Sequence, residues 1–481
     1  MKNQFTSMNL SKEIIKSIQT LGYKEATPVQ EKTIPIILSG KDLVVQSQTG
    51  SGKTAAFTIP ICEKIVWNNR KPQALIIAPT RELVMQIQED VFNIGRFKRI
   101  KSEAIFGRSS FETQAKKLRE MTHVVVATPG RLIDHIERQT IDLSSIEMVV
   151  IDEADELFNM GFLDQLEAVL RATPVASQKL FFSATMPAAV KNLMGQYLND
   201  AETILIESEN PVANRINQGY CKTHNFDKKV VLEKFLVVNN PNAAMIFCNT
   251  KEQVITLTQL LQEKDIQVDC IHGDMEQRDR TEVMRDFKRG KFRYLVATDI
   301  AARGIDIDDI ALVVNYDVPE NVESYTHRIG RSARHTKTGS ALTLCCTSEA
   351  KFMDNIRNTL DDTIQEFKIP KDALVEEKLP LFLAKQHRQI KKKADKTQGF
   401  KKEITRIHIN AGKKSKMRPV DIVGALTALP NVDAKDIGVI EIIDVASFVE
   451  ILNNKGDLVI KSLKTKPIKG KIRKVSKVYH Q

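Results

Sequence analysis

Residues 43–54 read LVVQSQTGSGKT, a short apolar run that ends in Gly50, Ser51, Gly52, Lys53 and Thr54. The run predicts a buried strand over 43–45 and the residues after Lys53 a helix, which leaves the glycines in the turn between them. Such a turn is a phosphate cradle: glycines let backbone N–H groups converge on phosphate oxygens, and the helix N-terminus adds partial positive charge where the anion sits. On this reading Thr49, Gly50, Ser51 and Gly52 surround the phosphates, Lys53 reaches the β- and γ-phosphates, and the Thr54 hydroxyl ligates Mg²⁺. The expected cofactors are ATP and Mg²⁺. The usual G-x-x-x-x-G-K-[ST] spacing asks for glycine at position 47, where this chain has Ser47, so the motif alone competes with a chance glycine-rich turn.

Working outward, the runs LVVQ, ALIIAPT, HVVVATPG, MVVIDEAD and KLFFSAT alternate with helical stretches up to about residue 207. Val- and Ile-rich runs alternating with helices indicate a parallel sheet covered on both faces. Residues 208–220, SENPVANRINQGY, are polar and broken and read as a linker. A second series follows over 221–365 with AMIFCNT, VDCIHGD, YLVATD, LVVNYD and GSALTLCC, and it has no second lysine-bearing glycine loop. Residues 366–402 read as a basic linker, helical at most at its start. From 403 to 481 the order strand, helix, strand, strand, helix, strand fits a small α+β domain of the RNA-recognition-motif (RRM) type.

The chain has 481 residues, 42% apolar and 27% charged, which suits a soluble protein of several domains. No segment approaches ~18 consecutive apolar residues, and MKNQFTSMNLSKEII lacks the shape of a signal peptide, so a cytoplasmic address with no membrane partner is expected. The six cysteines form no C-x-x-C pair, and no protein-ligated metal is expected. Net charge is +11, but residues 401–481 hold 17 Lys and Arg against 8 Asp and Glu, leaving only +2 for the rest. A basic C-terminal module without an apolar helix face points to nucleic acid.

Asp152, Glu153, Ala154 and Asp155 follow the apolar run 148–151, at the sheet edge where ligands of such folds bind. A carboxylate there holds Mg²⁺ through its waters and a second polarises the attacking water, roles that fall to Asp152 and Glu153. An acidic helix N-terminus is the plainer alternative.

D-E-A-D downstream of Gly-Lys-Thr is where the chain resembles the DEAD-box ATP-dependent RNA helicases, over residues 1 to about 365. The resemblance implies two tandem RecA-like parallel-sheet domains of the α/β class ahead of the small α+β RRM-like domain. It also implies an adenine-reading motif from Phe5, Tyr23, Thr27 and Gln30, with Gln30 on the adenine edge and an aromatic on its ring. Arg81 of APTREL, Gly107, and Thr128, Gly130 and Arg131 of TPGR are similar to the loops that grip RNA backbone, and Ser183-Ala184-Thr185 to the coupling motif. In the second half Thr250, Arg280 and Thr298 look like further RNA contacts, while Asp306 of ARGIDI is implied at the nucleotide. His327, Arg331 and Arg334 lie in HRIGRSAR, the two arginines as fingers on the γ-phosphate. Ser47 stands for the family's usual Ala, Gly107-Arg108 for a frequent pair of glycines, and Ser332-Ala333 for Thr-Gly. None removes a catalytic group.

Phosphate ligands on one domain and fingers on the other mean that hydrolysis requires the cleft to close, with RNA favouring the same state. The C-terminal module is the expected source of target choice. Ala446 and Ile451 occupy aromatic positions of the usual RNP1 pattern, and His408 falls where an aromatic would stack. Loops and basic edges are therefore the expected contacts: Lys413, Lys414, Lys416, Arg418, Lys469, Lys471, Arg473 and Lys474. Core and tail together resemble the bacterial DbpA and YxiN subgroup, which implies large-subunit ribosomal RNA and pre-ribosomal particles as partners of a monomer. A DNA-directed ATPase, a helicase without ribosomal RNA preference and a non-hydrolysing RNA clamp remain alternatives.

Overall fold

The structure is a computed structural model and describes residues 4–48, 50–206, 216–302, 310–332, 339–360, 364–386, 388 and 398–478. Its first sheet has seven parallel strands in the spatial order Ser102–Ile105, Val124–Ala127, Ala74–Ile77, Met148–Ile151, Gln178–Ser183, Leu43–Gln46 and Glu202–Leu205. Alternate residues of each strand go to opposite faces. Val124 and Val126 join one core with Leu43, Val45 and Ile76, whereas Val125 and Ala127 join the other with Val44, Leu75 and Val149. Burial on both faces is why these runs read as continuous Val and Ile rather than as alternating patterns.

That strand order decides what meets at the C-terminal edge. Gln178–Ser183 lies between Leu43–Gln46 and Met148–Ile151. The glycine loop, Ser183-Ala184-Thr185 and the acidic run from Asp152 therefore leave the sheet side by side.

The second sheet repeats the plan, in the order Val268–Ile271, Tyr294–Ala297, Ala244–Phe247, Leu312–Asn315, Gly339–Cys345, Ile216–Lys222 and Gln365–Glu366, again parallel. Two stretches read as linker differ here. Residues 216–220 belong to a strand along Gly339–Cys345, polar in sequence because buried Gln218 accepts the Tyr325 hydroxyl at 3.0 Å. Gly219 is required there, since a Cβ would stand 2.3 Å from the Phe367 ring. Asp372–Gln386 is a helix whose fully buried Phe382 lies parallel to Tyr294 at 6.4 Å, so packing onto the second domain runs past residue 365. Exposed Leu379, Leu381 and Leu383 beside Phe382 mask the periodic signal of that packing.

The tail forms a four-stranded antiparallel sheet, in the order Ile437–Ile442, Ser447–Ile451, Thr405–Ile409 and Val475–Lys477, with helices Pro419–Thr427 and Gly456–Ser462. Ile407, Val449, Ile451, Ile422, Leu426 and Val459 make its core. The domain is seated on the first RecA-like domain. Arg96 holds Glu450 through two hydrogen bonds of 2.5 and 3.1 Å, its guanidinium also lies over Phe400, and Phe97 packs on Phe400 and Leu452. Lys16 pairs with Glu403, and Lys413 with Glu120 at 2.9 Å.

Within the second domain, fully buried Lys228 is held by Asp317 at 3.2 Å and Glu349 at 2.8 Å. Replacing it strands two carboxylates without a counter-charge. Lys228→Ala is expected to lower stability by about 3–5 kcal/mol. It should appear as an earlier urea midpoint for the second domain at unchanged slope.

Candidate functional site

The loop after Leu43–Gln46 turns because Gly50 and Gly52 adopt φ of +80° and +97°, a region open to glycine. Gly52 has a second reason: a Cβ would lie 2.7 Å from Gln30 Nε2 and 2.9 Å from Thr27 Oγ1. Helix Pro28–Ser39 thus presses on the loop, with Gln30 Nε2 donating to Gly52 O at 3.2 Å and Gln30 Oε1 accepting from Thr27 N at 3.0 Å. Lys53 opens helix Lys53–Lys64, is buried, and folds its ammonium back onto Ser47 O at 2.8 Å. Thr54 sits half-buried beside it. Phe5 is fully buried edge-on to Tyr23 at 6.3 Å, within the first core. Of the two aromatics expected at an adenine ring, Tyr23 alone keeps exposed surface, because Phe5 fills the core beneath it.

Asp152 is buried at the end of Met148–Ile151, and Glu153 follows in a left-handed conformation at φ +52°, which L-residues adopt at a cost. Burial pushes both carboxyls up; the neighbouring carboxylate adds to this at Asp152, and Lys53 opposes it at both. Asp155 is buried too but fully bonded, accepting from Thr185 N at 2.7 Å, Thr185 Oγ1 at 2.9 Å and Ala184 N at 3.1 Å, while its own N–H donates to Ser183 Oγ. The fourth residue of D-E-A-D is therefore locked to Ser183-Ala184-Thr185.

The second domain closes this edge. A narrow cleft is lined by Lys53, Glu153, Asp155, Glu156 and Ala184 of the first domain and by His327 and Arg331 of the second. His327 Nδ1 is paired with Glu156. Burial pulls this imidazole down, but Glu156, with Asp155 and Glu153 beyond, outweighs it and the net shift is upward. Arg331 lies near enough for its charge to oppose the rise at Glu153. Behind them Arg328, which the motif reading passed over, is buried and binds both oxygens of Asp299 at 2.6 Å, Asp317 O at 2.8 Å and Asn249 Oδ1 at 2.9 Å. Its signal was adjacency to His327 within HRIGR. Thr49, Asp306 and Arg334 lie outside the described residues.

On the other side of the same cleft the first domain presents Arg81 at the start of helix Arg81–Ile94, and Thr128, Gly130 and Arg131 around the start of Pro129–Glu137. Arg131 is held by Ser109 O at 2.9 Å and Gln114 Oε1 at 3.0 Å. Gln114 in turn takes a contact from buried His135 at 3.2 Å, a ring held neutral by burial with its pKa lowered to about 4. Across the cleft Gln277 meets Arg81 at 3.3 Å, and Arg280 meets Glu82 at 2.9 Å. Arg280 also donates to Ala301 O and is buried, which places it at the interface between the domains. Burial, then the charges of Arg108, Arg280 and Arg131, hold the Arg81 guanidinium down. Thr250 caps helix Lys251–Gln262, and Thr298 follows strand Tyr294–Ala297.

In the tail, Lys414, Lys416, Lys471 and Lys474 are exposed. Lys413 is paired with Glu120, whereas Arg418 and Lys469 share Asp421 at 3.5 and 3.0 Å; Arg473 is half-buried. His408 and Phe448 stand opposite each other in the sheet, ring centroids 5.4 Å apart, with Arg406 over Phe448 at 4.8 Å. A reduced aromatic face exists where the pattern suggested no platform, because register pairs the two rings across strands.

Residues 27–193 match the DEAD/DEAH box helicase family, residues 227–336 the helicase conserved C-terminal domain, and residues 406–477 the DbpA RNA binding domain. The chain is 46% identical over 475 residues to the ATP-dependent RNA helicase DbpA of Bacillus subtilis, covering 99% of each. It is 42% identical to the DEAD-box ATP-dependent RNA helicase CshA of Geobacillus kaustophilus, over 76% of this chain and 78% of that one. Among solved structures, S. cerevisiae Dbp5 bound to RNA and ADP BeF3 superposes with a TM-score of 0.71 at 29% identity, covering 80% of this chain and 100% of that one.

The raised Asp152 carboxyl has a consequence for the nucleotide-free protein. A group whose folded pKa lies above its unfolded value stabilises the fold at low pH, and that contribution is lost as pH rises through the folded pKa. Asp152→Asn removes the charge. Its melting temperature is expected to exceed the parent's by roughly 2–4 °C or more at pH 8, the gap narrowing towards pH 5. Thermal melts without nucleotide check this, and a variant that melts lower at pH 8 contradicts it.

Proposed function

The chain belongs to the DEAD-box ATP-dependent RNA helicases, and from that premise we propose that it remodels large-subunit ribosomal RNA during ribosome assembly, delivered there by its C-terminal domain. Such an enzyme couples ATP hydrolysis to local separation of RNA strands. The observation that carries the reading is the division of the cleft, with Lys53, Glu153 and Asp155 on one domain and His327 and Arg331 on the other.

On this reading Lys53 leaves Ser47 O for the β- and γ-phosphates, and the amides of the turn around Gly50 and Gly52 receive their oxygens. Thr54 and Asp152 would hold Mg²⁺ through the nucleotide and water. The fit rests on the donors present: a hydroxyl in the first helical turn, and a buried carboxylate beside a second one, an arrangement that favours a cation. Bound there, Mg²⁺ supplies neutralisation of phosphate charge. Glu153 orients the attacking water from its place in the cleft lining. Arg331 neutralises charge developing on the transferred phosphoryl group, a contribution worth roughly three to five orders of magnitude in rate for an arginine finger. The Glu156–His327 pair links that finger's helix to the acidic run.

Arg81, Thr128, Gly130 and Arg131 face the RNA backbone from the first domain, with Gly107, Thr250 and Thr298 as further contacts. Contacts of this kind leave base identity unread. Selection then falls to the tail, where support comes from its likeness to the DbpA RNA binding domain and from its charge. Lys414, Lys416, Lys471 and Lys474, exposed on its loops and edge, with the His408–Phe448 pair on its sheet, are the proposed contacts.

Steady-state ATPase at fixed salt, measured without nucleic acid and with unrelated RNA, single-stranded DNA and large-subunit ribosomal RNA, tests the target. Ribosomal RNA is expected to stimulate most. Equal stimulation by all RNAs removes the specificity of the tail, and a DNA response reopens the substrate class. Glu153→Gln is expected to reduce turnover by about two orders of magnitude or more while retaining ATP-dependent RNA binding. Unchanged turnover in that variant withdraws the water-orienting role.

A further inference from the structure

Residues 106–110 connect strand Ser102–Ile105 to helix Phe111–Leu118 at the edge of the groove. Two features of this loop are unusual. Arg108 adopts φ +55°, a left-handed conformation suited to glycine, and its Nη1 crosses to the second domain to donate to Gly273 O at 3.0 Å. A strained non-glycine backbone persists where the side chain contributes something that glycine cannot.

The neighbours of Arg108 show what it joins. On one side Ser109 O accepts from Arg131 Nη1 at 2.9 Å, so the loop braces the arginine read as an RNA contact. On the other side Gly273 lies in the turn between strand Val268–Ile271 and helix Gln277–Lys288, the helix that brings Gln277 and Arg280 against Arg81 and Glu82. Asp274, next in that turn, is paired with Lys251 at 2.5 Å and also feels the charge of Arg108. Gly107 leaves its open side clear, with nothing within 4 Å of where a Cβ would stand. The acceptor that Arg108 has chosen is neutral and belongs to the other domain, while Arg81, Arg131 and Arg280 already supply positive charge close by.

We propose that Arg108 is a positioning residue of the closed enzyme, a latch that fastens the RNA-facing loop of the first domain to the second domain and thereby ties RNA affinity to closure. The contact exists only when the domains meet, so whatever closes the cleft strengthens the grip of Arg131, and RNA bound there favours closure in return. The inference rests on the reading of the Arg131 groove as RNA-facing. A phosphate ligand at the same position would act through charge, whereas a latch acts through a directed hydrogen bond.

Full-length Arg108→Gly and Arg108→Gln separate the two. RNA affinity is measured at several salt concentrations with and without a non-hydrolysable ATP analogue, and closure by energy transfer between dyes on the two RecA-like domains. For Arg108→Gly the latch predicts an affinity loss of about three- to tenfold with the analogue, none without it, an unchanged salt slope and a smaller closed fraction. Melting temperature should not fall, because glycine accepts this backbone. Arg108→Gln keeps a donor without charge and should recover most of the loss. A salt slope reduced by roughly 0.7–0.9, with Gln no better than Gly, makes Arg108 a phosphate ligand and overturns the latch. Unchanged closure and affinity in Arg108→Gly overturns it as well. Arg131→Ala serves as the control: if it leaves RNA affinity intact the groove reading fails, while the energy-transfer result still decides the latch.

Discussion

Asp152, Asp155 and Glu156 are buried within the continuous run 152–156, with Glu153 half-buried among them. Carboxylates do not stay charged inside a protein unless something answers them. Here the answers come from three places. Asp155 is satisfied locally by Thr185 and Ala184; Lys53 answers Asp152 and part of Glu153; and Glu156, with Glu153 beside it, looks across the cleft to His327 and Arg331. The first domain therefore holds an acidic edge that it cannot neutralise with its own residues. Closure brings the missing cations, which is why the catalytic geometry and the domain arrangement are one problem.

The second domain meets that need with a rigid frame. Arg328 gathers Asp299, Asp317 and Asn249, three residues following three different strands, and Lys228 fixes Asp317 from below. His327 and Arg331 flank Arg328 on this framework, so their reach into the cleft is set by buried ion pairs and not by a mobile loop. The tail is anchored differently. Its sheet face contributes Glu450 to Arg96 and its leading helix contributes Phe400 to Phe97, both on the first domain. The glycine loop, Arg81, Arg131 and the tail are thus carried by one body, and the second domain is the part that closes on them.

How much of this was legible in the chain depended on how many constraints each residue answers to. Central strands such as Val124–Ala127 are apolar on both faces and announce themselves. Ser102–Ile105 and Ile216–Lys222 lie toward sheet edges, carry Glu103, Asn217 and Gln218, and were passed over. The helix Asp372–Gln386 was hidden for a related reason, since Phe382 packs inward while Leu379, Leu381 and Leu383 stay exposed and dilute any periodic signal. Short motifs located Lys53, Asp152 and His327 because their chemistry requires a residue type at a spacing. They could not reveal that Arg280 is buried against Glu82, that Phe5 belongs to the core, or that Gln114 braces Arg131, because those facts arise from pairings between segments far apart in sequence.

The side of the cleft that holds Arg81 and Arg131 carries the opposite frustration from the side that holds Asp152 and Glu153. Arg81, Arg108 and Arg131 from the first domain converge with Arg280 from the second, and burial first, then their mutual repulsion, holds the Arg81 guanidinium down. Glu82 answers part of that charge through Arg280. The remainder favours an anion, and RNA phosphate is the anion this family binds. One edge of the cleft is short of cations until the domains meet, and the other has too many once they do. On the proposed function, nucleotide with its cation would ease the first and RNA the second, so each ligand would lower the cost of the same closed state from opposite ends of the interface, and neither alone would remove both penalties.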